Sequence, residues 1–181
     1  MVGVDEVGYG SWAGPLYICA LEFTSVPDFE LKDSKKLSEK KRLACFEKIK
    51  ECAVWNMGIV SAELISEKGL AFAYKVAMMQ AVEPFVKDGK KLVLDGRKPK
   101  WLECEAIVGA DNIVSEVSAA SIVAKCERDS FMKEQHLKYP CYNWLKNKGY
   151  GTKEHVAAIR AFGPCVMHRF NIKFFIENGL V

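Results

Sequence analysis

The sequence lacks the features of a membrane or secreted protein. None of its apolar runs approaches the ~18 residues that a membrane-spanning helix needs. Asp5 and Glu6 stand where a signal peptide would carry a basic end and an apolar core, so secretion is not expected. The seven cysteines form no C-x-x-C pair and are odd in number, which argues against a disulfide framework or a zinc cluster. We therefore expect reduced thiols and a cytoplasmic location.

Internal repeats, low-complexity tracts and linkers are missing as well, so residues 1–181 are expected to form a single domain. Half of the residues are apolar and 27% are charged, which is typical of a globular protein with a sizeable core. The net charge of +3 permits a polyanionic partner without requiring one. We expect the protein to be a monomer.

The hydrophobic pattern predicts an α/β protein. Short apolar runs predict strands, and helical stretches are bounded by caps at Ser38 and Thr152 and by a stop at Gly163–Pro164. The predicted strands are 2–7, 16–23, 54–60, 91–95 and 106–108; the predicted helices are 39–51, a stretch between 60 and about 86, 118–137, and one that begins after 152. Three early strands, followed by helices alternating with two more strands, give a mixed sheet with helices on its faces.

Four carboxylates do not fit a solvated surface. Asp5 and Glu6 lie within an apolar strand, Asp95 ends a second strand, and Asp111 follows a third. Each alone could cap a turn, as the Asp95–Gly96 pair would. Together they place acids at the ends of three core strands, where open α/β sheets bind ligands.

Carboxylates that share a partly dry site repel one another unless cations neutralise them. Mg²⁺ and Mn²⁺ prefer oxygen ligands, and two such ions about 4 Å apart suit in-line attack on a phosphate. The acids therefore predict a site for two divalent ions. Successive residues of a regular strand face opposite sides, so Asp5 and Glu6 cannot both face this site. Either the strand ends at Gly8 early enough to turn the Glu6 side chain toward the ion site, or Glu6 contributes to that site partly through its backbone.

A competing motif occupies residues 8–13, where GYGSWA matches the G-x-G-x-x-A fingerprint of dinucleotide-binding proteins. That fingerprint requires a helix to begin at the glycines. Gly14–Pro15 and a strand-like apolar run follow here instead, and two preceding carboxylates would repel a pyrophosphate. We expect the glycines to let the backbone approach a sugar-phosphate chain closely.

Several short motifs follow one another along nearly the whole chain. They are GVDEVGYG at 3–10 with AGP at 13–15, DSKKL at 33–37, Asp95–Gly96, Asp111, SAASIVAK at 118–125 with Arg128–Asp129, KGYGT at 148–152, and His168–Arg169. In this order they resemble type 2 ribonuclease H (ribonuclease HII). The resemblance implies an α/β fold of the ribonuclease H-like type, a five-stranded mixed sheet flanked by helices.

The same resemblance implies an endonuclease that hydrolyses the RNA strand of RNA–DNA hybrids and cuts at ribonucleotides embedded in duplex DNA. It implies that Asp5, Glu6, Asp95 and Asp111 are the catalytic acids and bind Mg²⁺ or Mn²⁺, with two ions per site. The chain departs from the family at Tyr9, where an arginine usually stands between the glycines. Backbone contacts from the glycines at 8 and 10 to the ribose 2′-hydroxyl, which distinguishes RNA from DNA, can persist. The cationic phosphate contact is lost, so the preference between the two substrates stays open.

The substrate-binding residues are predicted to be Gly8, Tyr9, Gly10, Lys35, Ser118, Ser121, Lys125, Arg128 and Tyr150. Four of them, Ser118 to Arg128, follow at helical spacing along one face and would form a track for a phosphodiester chain. For Lys35 the alternative is a side chain that only faces solvent, and for Tyr150 it is a ring that only packs on its own loop. His155 and the four tryptophans are expected to pack in the protein, and His168–Arg169 is left unassigned.

Two other functions compete with a nuclease. A module that binds RNA–DNA hybrids without cutting them is the alternative from a different class, and it would have no reason to keep a repulsive group of acids. A two-metal phosphoesterase acting on small nucleotides would share the acids, but it would not need the long basic helix.

Overall fold

A mixed sheet of five strands forms the centre of the protein in the computed structural model, which describes residues 1–29, 31 and 37–180. The strands are β1 (Val2–Val7), β2 (Leu16–Phe23), β3 (Ala53–Val60), β4 (Leu92–Asp95) and β5 (Glu105–Ile107). Their order is β3-β2-β1-β4-β5, with β1 antiparallel to β2 and parallel to β4. The predicted fold class, a five-stranded mixed sheet flanked by helices, is confirmed.

The helices in the described part of the chain are α1 (Glu39–Cys52), α2 (Ala62–Lys68), α3 (Leu70–Lys87), α4 (Ser115–Lys138), α5 (Trp144–Asn147), α6 (Lys153–Phe162) and α7 (Lys173–Glu177). The single helical stretch predicted between 60 and 86 is two helices, because Gly69 adopts a left-handed φ of 83° between them. The predicted caps hold: Ser38 Oγ accepts from Lys41 N–H and Thr152 Oγ1 from His155 N–H.

Alternation along the strands directs side chains into two separate cores. Val4, Ile18 and Leu94 pack with α2 and α3 on one face of the sheet. On the other face, Cys19 and Leu21 pack with α1 and α4. The side of the sheet that each strand residue faces therefore follows from its position in the alternation.

A third apolar cluster holds the C-terminal part of the chain against the start of β2. Met132, Tyr142, Trp144 and Phe175 are buried there around Ala13. This cluster places residues 140–177 next to the segment between β1 and β2, which contains the predicted glycine loop.

All seven cysteines lie within the described residues and are free thiols, as predicted. No helix among the described residues has both the length and the apolar character that a membrane crossing requires. The interpretation of residues 1–181 as one domain stays a prediction.

Candidate active site

Two predicted acids lie at the carboxyl ends of neighbouring parallel strands. Val4 of β1 pairs with Leu94 of β4, and Asp5 and Asp95 are the next residues on each strand. Asp5 lies opposite Cys19, which packs against α4. In β4, alternation places Asp95 on the same side as residue 93, which also packs toward α4. Since adjacent strands are about 4.8 Å apart, the two carboxylates are neighbours on the α4 side of the sheet.

Hydrogen bonds fix the orientation of the aspartates. Asp95 Oδ1 accepts from the backbone N–H of Ala110 at 2.8 Å, in the short 3-10 turn that carries Asp111. Asp111 Oδ1 accepts from the Asn112 side-chain amide at 2.7 Å, and Asp5 Oδ1 accepts from the next backbone N–H at 2.8 Å. Asp5 and Asp111 are only 3% and 4% exposed. The structure thus places Asp5 and Asp95 on adjacent strands and joins Asp95 to the turn that carries Asp111; Asp5 and Asp111 are buried, and Asp95 is half-buried.

Glu6 lies on the opposite side of the sheet from Asp5. It pairs with Ile18, which belongs to the core formed with α2 and α3. The strand remains regular through Val7, so it does not break early enough to turn Glu6 toward the aspartates. Burial, followed by the charges of Glu6 and Asp5, raises the pKa of Tyr74 on α3. The negative field of the acids therefore extends to both sides of β1.

The acids fit divalent ions by their chemistry, because carboxylate oxygens are the donors that Mg²⁺ and Mn²⁺ prefer. Three of the four sit close together at the ends of adjacent elements, each with one oxygen oriented by an N–H group. Among the described residues, no three His, Cys, Asp or Glu side chains form a group ready to hold an ion.

The glycine loop follows β1 and does not start a helix. Gly8 has a left-handed φ of 85°, Ser11 N–H donates to the Gly8 carbonyl, and Ala13 bridges to His168 before β2 begins. This confirms that the G-x-G-x-x-A match is not a dinucleotide fingerprint, which needs a helix N-terminus at this point. The backbone N–H groups of Trp12 and Ala13 both donate to the Gly149 carbonyl, at 2.8 and 3.0 Å.

Arg128 is inside the protein, so the prediction that it contacts a phosphate at the surface needs correction. It is 0% exposed. Its guanidinium donates to the carbonyls of Pro15 (2.9 Å), Lys148 (3.0 Å) and Ala13 (3.0 Å), and to Ser11 Oγ (2.7 Å). These bonds join the glycine loop to the turn that precedes Tyr150. The helical spacing correctly places Arg128 on one face with Lys125, but the C-terminal part of the chain covers that end of the face.

Arg169 is a second buried arginine beneath the loop, which sequence reasoning left unassigned. It donates to the carbonyls of Tyr9 and Gly14, both at 3.0 Å. Burial, and then the neighbouring Arg128, lower the pKa of Arg169 to about 9, so it remains charged at neutral pH. Because both arginines bind loop carbonyls, they fix which way the peptide groups of the loop point.

Six predicted substrate-binding residues line one pocket. We call it the loop pocket, and its walls include Gly8, Tyr9, Gly10, Ser121, Lys125 and Tyr150, with Glu6 at one side. Lys125 Nζ pairs with Asp129 Oδ1 at 2.7 Å and lies 5.9 Å from the centre of the Tyr150 ring. Ser118 is buried and does not line this pocket. Lys35 lies outside the described residues, as does most of the DSKKL motif.

Two buried histidines support the carbonyl of Tyr150. His155 Nδ1 lies 2.9 Å from that carbonyl, and His155 Nε2 lies 3.2 Å from His168 Nε2. Trp144 Nε1 donates to His155 Nε2 at 3.0 Å. The prediction that His155 is structural is confirmed, and His168 shares that role. The only sequence signal for this pair was the occurrence of two histidines in polar motifs of the C-terminal region.

Comparison with solved structures identifies the fold. A structure described as the PCNA:RNase HII complex from Archaeoglobus fulgidus has a TM-score of 0.78, with 23% identity, covering 95% of this chain and 94% of that one. A structure of Bst-RNase HIII in complex with Mn²⁺ has a TM-score of 0.75, with 15% identity, covering 97% and 68%. At these identities the likeness shows the fold alone. The chain therefore has a fold of the ribonuclease H type, with acids at the ends of its central strands.

The sequence comparisons are more specific. The family model for ribonuclease HII matches residues 2–174. A ribonuclease HII from Wolbachia pipientis is 42% identical over 177 residues, covering 94% of this chain and 89% of the relative. One from Ehrlichia chaffeensis is 38% identical over 174 residues, covering 93% and 83%. The chain belongs to the ribonuclease HII family, and it is a nuclease that hydrolyses RNA in RNA–DNA hybrids.

Proposed function

We propose that this protein cuts the RNA strand of RNA–DNA hybrids internally, and also cuts duplex DNA at single embedded ribonucleotides, using two divalent metal ions. The observation that carries the proposal is the placement of Asp5 and Asp95 on adjacent strands, with Asp95 bonded to the turn that carries the buried Asp111. Glu6 is the fourth proposed ligand, through its backbone, because its side chain lies on the other side of the sheet. When bound, Mg²⁺ or Mn²⁺ would supply an activated water and stabilise the charge on the scissile phosphate and the leaving oxygen. The Mn²⁺ complex of Bst-RNase HIII supports the use of a divalent ion.

The loop pocket supplies the proposed contacts to the substrate. Its glycines allow the backbone to approach a ribose closely, because Gly10 has open space where a side chain would stand. The N–H groups of this loop are the proposed readers of the ribose 2′-hydroxyl. Lys125 adds a cation beside the Tyr150 ring, and the two residues are the proposed contacts to a phosphate and a sugar. Lys35 and Ser118 stay predicted contacts without support from these observations.

Buried arginines give this pocket its shape. Arg128 and Arg169 are proposed to act as positioning residues, since they hold the loop by its carbonyls and do not reach the surface. The alternative of a module that binds hybrids without cutting them is disfavoured by the buried aspartates, whose repulsion is useful only where cations bind. A monomeric state and a cytoplasmic location stay predictions.

Substituting one aspartate tests the proposed function. Asp5→Asn and Asp95→Asn keep an acceptor oxygen for the hydrogen bonds that orient them, but each removes one charge from the ion site. We expect either change to lower kcat by at least about 1000-fold with Mg²⁺ or Mn²⁺, on a hybrid and on a duplex with one ribonucleotide. Hybrid binding should stay close to wild type, because the contacts of the loop pocket remain.

The matched control is Asp88→Asn, an exposed aspartate at the end of α3, which should cut normally. Circular dichroism should show that all variants are folded. Near-normal turnover in Asp5→Asn or Asp95→Asn would contradict the assignment of the ion site. A wild-type protein that binds hybrids but cuts neither substrate would favour the binding module.

A further inference from the structure

A second groove lies on the other side of Tyr9 from the loop pocket. It has a volume of about 430 Å³, and its walls include Tyr9, Tyr74, Asp95, Arg97, Lys98 and Trp101. We call it the tryptophan groove. Glu6 and Tyr9 border both cavities, and Asp95 is one of the proposed ion ligands. The two cavities are therefore adjacent, with the acids at their common border.

The charge of the tryptophan groove suits a polyanion. Arg97 and Lys98 are exposed and follow directly after Asp95 and Gly96. Lys98 Nζ binds Glu103 at 2.9 Å, and that glutamate is 96% exposed. An exposed ion pair of this kind is weak and can exchange for a phosphate. Cations that stand next to the acids would counter the repulsion between those acids and an approaching phosphate chain.

The aromatic side chains of the groove are also unusual in their exposure. Trp101 is 38% exposed, with Lys75 Nζ at 5.6 Å from the ring, whereas Trp144 is fully buried and Trp12 stacks on Phe174 at 4.6 Å. Tyr9 is 47% exposed, and Tyr74 supports it through an edge contact at 5.7 Å between ring centres. Exposed rings beside cations are the combination with which proteins hold sugar-phosphate chains.

We propose that the tryptophan groove binds the flank of the nucleic-acid substrate that extends beyond the scissile phosphate, on the side away from the loop pocket. Arg97 and Lys98 hold phosphates of this flank, and Trp101 packs against a sugar ring. This inference rests on the proposed function, because it takes the acids at the border of the two cavities as the position of the cut. It assigns a binding role to the loop between β4 and β5.

The test combines salt dependence with KM. Each phosphate contact contributes about 0.9 to the slope of log K against log salt, so the double variant Arg97→Ala with Lys98→Ala should lower the slope by about 1.8. Binding to a hybrid is measured by fluorescence anisotropy in EDTA, which needs no turnover. Trp101→Ala should raise KM about three- to tenfold, more than it lowers kcat, and Trp101→Phe should restore most of the loss.

The control is Lys87→Ala. Lys87 is on the same helix as Tyr74 and pairs with Glu83 as Lys98 pairs with Glu103, but it lies about 20 Å away along the axis. It should leave both slope and KM unchanged. Hybrids in which one phosphate is replaced by a neutral methylphosphonate locate the contact. At one position in the flank, the replacement should weaken binding to wild type and have little effect on the double variant.

Two results would overturn the groove assignment: a salt slope for the double variant equal to that of Lys87→Ala, or a wild-type KM for Trp101→Ala. Neither depends on whether Asp5→Asn is inactive. Conversely, a wild-type protein that fails to cut in Mg²⁺ or Mn²⁺ would refute the proposed function, while the EDTA binding data would still report on the groove.

Discussion

Acidification is expected to destabilise the protein through the buried histidine pair. Tyr150 O can only accept a hydrogen bond and Trp144 Nε1 can only donate one, so His155 carries its proton on Nδ1 and accepts at Nε2. His168 must then donate from Nε2, and its Nδ1 accepts from the Cys165 N–H at 3.0 Å. Both rings are neutral and fully bonded in this arrangement. An added proton on either ring removes an acceptor that the network uses.

The magnitude follows from the pKa of His168. Burial, and then His155, lower this pKa from 6.5 to about 4. A pKa that is lower by about 2.5 in the folded state corresponds to about 3 kcal/mol over the full titration. The unfolded chain binds more protons between these values, so this stability is complete above pH 6.5 and is lost as the pH falls toward 4. Between pH 7.5 and 5.0 the free energy of unfolding should fall by about 2 kcal/mol from this residue.

Urea unfolding at pH 7.5, 6.0 and 5.0, followed by tryptophan fluorescence, measures this loss. His168→Asn keeps an acceptor near the position of Nδ1 but does not titrate in this range. It should be less stable at pH 7.5 and lose about 2 kcal/mol less than wild type on acidification. The exposed substitution Asn178→Ala, which changes no titratable group, is the control, and its pH dependence should match wild type. Equal pH dependence in His168→Asn and wild type would refute the reasoning.

Three further predictions concern the loop pocket. Lys125→Ala should raise KM and lower the salt slope of hybrid binding by about 0.9, whereas an unchanged slope would mean that Lys125 only holds Asp129. Tyr9→Arg should improve kcat/KM more on a duplex with one ribonucleotide than on a hybrid, because recognition of a single ribonucleotide depends on one anchored phosphate. Equal improvement on both substrates would show that Tyr9 has a role of its own. Gly8→Ala should destabilise the protein by about 2–5 kcal/mol, because φ is +85° and the added Cβ would stand 2.2 Å from Arg128 Nε. Thermal unfolding measures this loss. The control is Gly10→Ala, which should be nearly neutral because its Cβ would meet nothing within 4 Å.

The sequence predicts the sheet and its acids well, because both depend on local signals. β1, β2 and β4 are short apolar runs that are buried over most of their length, so the position of Asp5 within β1 and of Asp95 at the end of β4 can be predicted from them. The alternation of side chains along β1 also correctly predicts that Glu6 and Asp5 face opposite sides of the sheet. The early break of the strand is excluded by the pairing of Val7 with Tyr17, a contact between strands that no local pattern specifies.

Arg128 shows where local reasoning stops. Its spacing from Lys125 gives the correct helix face, but an arginine side chain on a helix is ordinarily exposed to solvent. Here segments more than 100 residues apart in sequence supply carbonyls that replace water. The short helices α5 and α7 were missed for a related reason. Four or five residues do not form a stable helix alone, and these are held by the cluster around Trp144 and Phe175.

The bonds that shape the glycine loop have a consequence for the order in which the protein acquires its parts. Tyr9 and Arg169 are 160 positions apart, and the Gly149 carbonyl that holds Trp12 and Ala13 is more than 130 positions from them. During synthesis the N-terminal part emerges first, so the strands and all four acids leave the ribosome before the segments that hold the loop. A nascent chain that ends after α4 contains the acids proposed to bind the ions, but it lacks the segments that complete the loop pocket, which is proposed to select the substrate. Because these contacts join residues of such long sequence separation, the loop pocket can be completed only after the C-terminal segments have been made.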